Sequence, residues 1–233
     1  MALNMTNNTV LTTKNISKIY PNALDSICIF KDVNFTLNAG DIVALMGPSG
    51  SGKTSFLNIL GLLDTPTDGE LFINGISTKY MSDTDKTKLR ANNIGFVFQF
   101  HHLLPDFTAI ENVMLPLLKQ NISSKEAKQR ANSLLSSMLL GNRCNHYPSM
   151  LSGGEQQRVA IARAIACNPS ILIADEPTGN LDKNTAMEIF NIMTNLANEQ
   201  KIAIILATHD NNLYSNISNK IKIENQGIVK EYS

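Results

Sequence analysis

The sequence predicts an α/β fold with a parallel core sheet, and three observations carry that expectation. A glycine-rich run, residues 47–54, sits between a buried strand-like segment, Asp41–Met46, and a helical one, Thr54–Leu63. Two further runs, Ile171–Ala174 and Ile202–Ala207, are continuous and β-favouring, as strands covered on both faces of a parallel sheet require. Between them, Asn184–Gln200 spaces Ile189, Ile192, Met193 and Leu196 as a crossover helix would.

Taken along the chain, residues 1–9 are polar and Asn/Thr-rich and are expected to form a flexible tail. Residues 10–233 then form one domain with two lobes. From Val10 to Ala44 the pattern suggests short strands, with Phe30, Val33, Phe35 and Leu37 as an apolar set and a turn at Asn38-Ala39-Gly40. Leu71–Ile73 followed by Asn74-Gly75 reads as a hairpin closing a small antiparallel β layer. Gly95–Phe98 is a further β-favouring run. Residues from about 100 to 165 are expected to be an inserted helical lobe. Within it, Ser123-x-x-Glu126 opens a helix over 123–140 that aligns Ala127, Ala131, Leu134, Leu135 and Met138. A second helix, Glu155–Cys167, is stopped by Asn168-Pro169.

Composition narrows the function classes. The 233 residues are 43% hydrophobic, enough for one sizeable core, and the formal net charge is zero. No global field therefore draws the chain to nucleic acid or anionic lipid. Three scattered cysteines argue against a disulfide framework, and Cys144-x-His146 has no second pair at zinc-like spacing. No stretch approaches the roughly 20 apolar residues of a membrane span, and the N-terminus lacks a signal pattern. The expectation is a soluble chain that a partner brings to any membrane at which it works.

Three motifs carry chemistry. Gly47-Pro48-Ser49-Gly50-Ser51-Gly52-Lys53-Thr54 fits the phosphate-loop pattern and lies between a strand and a helix, the context that pattern needs. Its glycines let successive N–H groups surround phosphate oxygens, and the following helix adds its positive end. Lys53 is placed for the β- and γ-phosphates and Thr54 for Mg²⁺. The second motif is Asp175-Glu176 after four apolar residues, which puts carboxylates at the carboxyl edge of a sheet. Asp175 suits Mg²⁺, and Glu176 suits a general base; the bland alternative is a strand that merely ends in acids. The third, Leu151-Ser152-Gly153-Gly154-Glu155, is a capping box with two glycines in a first helical turn. Glycine is costly there unless a phosphate must approach the backbone.

In chain order, residues 47–54, then 151–155, then 171–176, the three strings resemble the ATP-binding subunits of ABC transporters, over about Tyr20 to His209. The resemblance implies an ATPase of the P-loop class with ATP and Mg²⁺ as ligands. It implies that Ser152, Gly153 and Gly154 meet the γ-phosphate held by a second copy, in a head-to-tail dimer with two ATPs between the subunits. Gln99, at the end of a β-favouring run, corresponds to a residue that senses Mg²⁺ and the attacking water. His209 corresponds to a switch histidine on the γ-phosphate, Tyr20 to an aromatic stacked on adenine, and Asp182 to an interface contact. Each also has a plain reading: Gln99 as surface, His209 as structural, Tyr20 as packing and Asp182 as a helix N-cap.

Two longer strings, Phe98–Val113 and Asp175–Asp182, narrow the resemblance, and Leu62–Gly69 agrees with the first. Phe98–Val113, with Phe100-His101-His102, and Leu62–Gly69 look most like the ATPase of bacterial lipoprotein-releasing systems. Asp175–Asp182 is shared with macrolide and peptide exporters and a cell-division pair, which remain the alternative. The implied partners are a second ATPase copy and integral membrane permeases of the lipoprotein-releasing type. The implied place is the cytoplasmic face of the inner membrane, with no nucleic acid and no direct contact with cargo. Phe100, Leu103, Leu104 and Phe107 either form a surface for a permease segment or fold back into the helical lobe. A DNA-repair or chromosome ATPase is disfavoured because Thr54–Leu151 holds no sustained heptads.

Overall fold

The structure is a computed structural model and describes residues 8–21, 26–224 and 227–231. Residues 1–7, most of the expected tail, lie outside the described residues, and Thr9 already pairs with Asn38.

The chain opens with β1 (Thr9–Pro21) and β2 (Ser26–Asn38), an antiparallel pair of 13 residues each rather than the short strands expected. Their register shifts explain the difference. Asp32, at φ 52°, bulges β2 so that Phe30 and Val33, three apart, both turn to the core, and Asn15 (φ 47°) does the same in β1. Strand β3 (Ile42–Met46) leads into helix α1 (Lys53–Leu60). The hairpin of β4 (Asp68–Ile73) and β5 (Ile76–Ser77) turns at Asn74 and Gly75, both at positive φ as a tight two-residue turn demands. Helix α2 (Asp83–Asn93) and β6 (Ile94–Phe98) follow.

The helical lobe holds α3 (Ala109–Lys119), α4 (Ser124–Ser137) and α5 (Gly153–Ile165). The alternating end of the chain is β7 (Ile171–Asp175), α6 (Lys183–Gln200), β8 (Ala203–Ala207), the short α7 (Asn211–Ser215), and an antiparallel pair, β9 (Asn219–Glu224) and β10 (Gly227–Glu231). No described helix is long and apolar enough to cross a membrane.

Two sheets result. One is four-stranded, in the order β2-β1-β4-β5; the other is six-stranded, in the order β10-β9-β3-β8-β7-β6. In the larger sheet β9, β3, β8, β7 and β6 run parallel. Alternate residues of each central strand feed two different cores. Ala44, Leu172, Ala174, Ile204 and Leu206 face the helical lobe, whereas Val43, Leu45, Ile171, Ile173 and Ile205 face α1 and the smaller sheet. That double burial is why these segments read as unbroken apolar runs. On the second side Phe56 of α1 meets Phe30 and Phe35 edge-on, with centroids 5.6 and 5.9 Å away.

One buried amide ties the helical lobe to the loop that precedes it. Asn112, fully buried on α3, donates Nδ2 to the carbonyls of Leu104, Phe107 and Thr108, and its Oδ1 accepts the Leu104 N–H at 2.8 Å. Asn112→Leu strands these groups and is expected to lower stability by about 3 kcal/mol, read as a fall in the urea midpoint.

Candidate active site

The topology gathers the candidate residues at one edge. Strands β3, β8, β7 and β6 are parallel neighbours, so the segments that leave their carboxyl ends emerge together. Phe98 pairs with Asp175, Asp175 with Ala207, and Ala207 with Leu45. Gln99, Glu176, His209 and the glycine loop therefore leave the sheet on adjacent rungs. A cleft of about 270 Å³ lies there, lined by Thr54, Gln99, Asp175 and Glu176 together with Phe100 and His102.

The loop from Gly47 to Gly52 connects β3 to α1. Gly52 is its tightest point: φ is +97°, and a Cβ there would fall 2.3 Å from Cγ2 of Ile29 on β2. No other residue fits. Helix α1 starts at Gly52 without a side-chain cap and with no acid in its first turn. Its N–H groups and partial positive charge are left to an external anion. Lys53 is buried and arches over the loop, donating Nζ to the carbonyls of Gly47 at 2.8 Å and Pro48 at 3.2 Å. Ser51 Oγ is buried with no hydrogen-bond partner, a polar atom that a phosphate oxygen would satisfy. Pro48, Ser49 and Gly50 complete the loop, with Gly50 in the left-handed region.

Thr54 Oγ1 donates to Asp175 Oδ2 at 3.1 Å, joining the start of α1 to the end of β7. A hydroxyl, a carboxylate and the Gln99 amide in one cleft are hard oxygen donors, the set that suits Mg²⁺. Among the described residues, no group of three or more His, Cys, Asp or Glu could hold a metal, so a zinc-type site is not built there.

Glu176 occupies a strained position. Its φ is 51°, unusual for a non-glycine residue, and its N–H is held by the carbonyl of Ala207 on β8 at 3.0 Å. The side chain reaches His209, with Oε1 2.8 Å from Nε2. Gln99 is held from the other direction: Nε2 donates to Asn180 Oδ1 at 3.1 Å, and Asn180 Nδ2 donates to the Gln99 carbonyl at 3.4 Å. A Cβ on Gly179 would crowd that Gln99 amide at 2.9 Å.

The Ser152–Gly154 segment is not part of this cleft. Ser152 caps α5 in a reciprocal box: its Oγ accepts the Glu155 N–H at 3.2 Å, and Glu155 Oε2 accepts the Ser152 N–H at 2.8 Å. That N–H bond, above all, holds the Glu155 carboxyl below its usual range. Ser152 and Gly153 are exposed; Gly154 is buried, and a Cβ on it would meet Thr185 Cγ2 at 2.4 Å. Asp182 is the N-cap of α6, accepting from the N–H groups of Asn184 and Thr185 and from the Thr185 hydroxyl. The Thr185 hydroxyl, then its N–H, hold the Asp182 carboxyl below the usual carboxylate range. The start of α5 at Ser152 and Gly153 thus presents an exposed surface, separate from the cleft at Thr54 and Asp175. Tyr20, near the end of β1, is 40% exposed and donates its hydroxyl to Asp64 Oδ2 at 3.1 Å.

Two linkers in the site carry no local signal in the sequence. Asn180 lies inside the string Asp175–Asp182, but nothing local says that it clasps Gln99. Gln157 is fully buried and donates Nε2 to the carbonyls of Pro177 at 2.7 Å and Phe98 at 3.3 Å. It ties α5 to the ends of β6 and β7. A glutamine in a helix ordinarily reads as surface, so only the tertiary packing reveals it.

The geometry has counterparts among known proteins. A family model described as ABC transporter matches residues 30–179. The ATP-binding cassette MJ0796, solved as a dimer in a post-hydrolysis state bound to ADP and Pi, is 41% identical, with a TM-score of 0.86. The alignment covers 95% of this chain and 98% of that one. A second dimeric structure of MJ0796, described as a bacterial ABC transporter cassette, matches with the same values. An ABC transporter of metal-chelate type, in an inward-facing conformation, is 26% identical with a TM-score of 0.79, over 97% of this chain and 84% of that one.

Proposed function

The chain belongs to the ABC transporter family as an ATP-binding cassette, and from that premise we propose that it hydrolyses ATP between two copies to drive lipoprotein release from the inner membrane. The observation that carries the ATPase reading is the cleft in which Thr54, Asp175 and Glu176 converge, with His209 bonded to Glu176. The loop N–H groups from Gly47 to Thr54 and the Lys53 ammonium bind the β- and γ-phosphates. Mg²⁺, bound with the nucleotide, supplies charge neutralisation at those phosphate oxygens, and Thr54, Asp175 and Gln99 would hold it. Glu176 orients a water and takes its proton as the water oxygen attacks the γ-phosphorus; the bond from phosphorus to the ADP oxygen breaks. His209 fixes the Glu176 carboxylate and reaches toward the same phosphate. Gln99, fastened to Asn180, couples the cleft to the segment that carries Asp182.

Ser152, Gly153 and Gly154 act on the nucleotide of the second copy. The exposure of Ser152 and Gly153 at the start of α5, away from their own chain's cleft, supports that division of labour. Asp182 lies along the same contact between copies. Tyr20 stacks on the adenine.

Coupling to membrane subunits is supported by the surface after Gln99. Phe100 is 68% exposed, and Leu104 and Phe107 are also open, while Leu103 packs against the helical-lobe core. Beside Phe98 runs a groove of about 680 Å³ with an apolar floor at Phe96 and Pro116 and cations at Lys88, Arg90 and Lys119. A short cytoplasmic segment of a permease fits such a surface. The cassette then sits peripherally on the cytoplasmic face and never touches cargo. The cargo assignment rests on the resemblance of Phe98–Val113 and Leu62–Gly69.

Purifying tagged Glu176→Gln chain with ATP from its native membranes tests this. We expect two related four-helix permeases with bound lipoprotein. An efflux or cell-division permease would overturn the cargo, and the absence of any membrane protein would overturn the transporter role.

A further inference from the structure

We propose that Lys18 and Asp64 are positioning residues that lock the Tyr20 ring into a preformed platform for the adenine base of ATP. The proposal rests on the reading of Tyr20 given above. Its starting point is a lysine that composition alone would leave in solvent. Lys18 is 8% exposed, and a buried ammonium is costly unless its donors are used. One donor goes to Asp64 Oδ1 at 2.8 Å and one to the Thr65 carbonyl at 2.9 Å. The ammonium also lies 4.7 Å from the centroid of the Tyr20 ring, within cation–π range.

Asp64 is the hub. Its Oδ1 also accepts the Thr65 N–H at 2.7 Å, and its Oδ2 accepts the Tyr20 hydroxyl at 3.1 Å. Burial by itself would raise the Asp64 carboxyl, but the Lys18 hydrogen bond, the Thr65 N–H and the Lys18 charge outweigh it and hold the group low. The carboxylate is thus kept ionised as an acceptor for the phenol.

The ring is therefore fixed at two points, by its hydroxyl and by a cation at its π system. An ordered ring spares the binding step the rotamer entropy of a loose tyrosine. A cation at one face also withdraws electron density, which favours stacking of an electron-rich purine.

The anchoring has a further consequence. The N–H groups of Leu63 and Asp64 both bond to the carbonyl of Asn58 on α1, so Asp64 is fastened to the end of the helix whose start forms the phosphate loop. On the other strand, Ile27 pairs with Tyr20, and Ile29 is the side chain beneath Gly52. One helix of eight residues, about 12 Å long, thereby sets the phosphate site and the ring relative to each other. Packing alone would not require the phenol to reach this hub.

The test separates base from phosphate. ATP and inorganic triphosphate, each with Mg²⁺, are titrated by calorimetry into the full chain and its Tyr20→Ala, Tyr20→Phe, Asp64→Asn, Lys18→Met and Tyr20→Ala/Asp64→Asn variants. Tyr20→Ala is expected to weaken ATP about tenfold and triphosphate not at all. Asp64→Asn, Lys18→Met and Tyr20→Phe each weaken ATP about threefold to fivefold without changing triphosphate. The double variant binds ATP no more weakly than Tyr20→Ala alone. If Tyr20→Ala weakens ATP while Asp64→Asn and Tyr20→Phe do not, the positioning role is wrong and the stacking role stands. Equal loss of triphosphate in Asp64→Asn, or full additivity in the double variant, also overturns positioning. If Tyr20→Ala leaves the ratio of the two affinities unchanged, the stacking role itself fails, and this proposal with it.

Discussion

Glu176→Gln is expected to lower steady-state ATP hydrolysis by at least about 100-fold while leaving ATP affinity within about twofold. The side chain keeps its shape, and its amide oxygen still accepts from His209 Nε2 when that nitrogen carries the proton. The N–H bond to Ala207 that holds the backbone at φ 51° does not involve the side chain. Only proton acceptance is lost. Phosphate binding is carried by the loop and Lys53, which the change does not touch. Stopped-time phosphate release and equilibrium titration give the two numbers. Hydrolysis at the wild-type rate would remove Glu176 from the role of general base.

The second large effect is expected at Ser152. Ser152→Arg should lower hydrolysis by about 100-fold and abolish ATP-driven dimerisation, with ATP binding to the single chain unchanged. Losing the α5 N-cap costs about 1 kcal/mol, too little to unfold a domain held by 5–15 kcal/mol. The substituted residue is exposed and joins none of the groups around Thr54 and Asp175. Its effect must therefore be exerted on a neighbour. Titration at protein concentrations too low for dimers separates the outcomes, because loss of binding there would mean that Ser152 serves its own chain's nucleotide.

Some elements are legible in the sequence and others are not, for physical reasons. Ile171–Ala174 and Ile202–Ala207 were legible because both faces of β7 and β8 are covered, so no polar residue interrupts them. Helix α2 was not legible, since none of its residues is buried and no apolar stripe exists to reveal it. Helix α3 hides behind Pro116, which ordinarily argues against a helix interior. The length of β1 and β2 was masked by bulges at Asn15 and Asp32, which break the two-residue period.

At the site, the glycine loop, Asp175 and Glu176 stand out in sequence because phosphate and metal chemistry dictates residue types at fixed spacing. Contacts between segments have no such signature. Glu176 meets His209 because β7 and β8 are neighbours in the sheet, and Gln99 meets Asn180 because the exits of β6 and β7 lie side by side. The buried Gln157 bridge and the Lys18–Asp64–Tyr20 cluster belong to the same class.

One chain's phosphate loop and another's Ser152–Gly154 are expected to enclose a shared ATP. Light scattering on the purified Glu176→Gln chain, with and without ATP and Mg²⁺, addresses it directly. The expected mass is the 25.6 kDa of one chain without nucleotide and about twice that with it. A species that binds ATP yet stays at 25.6 kDa would contradict the shared site.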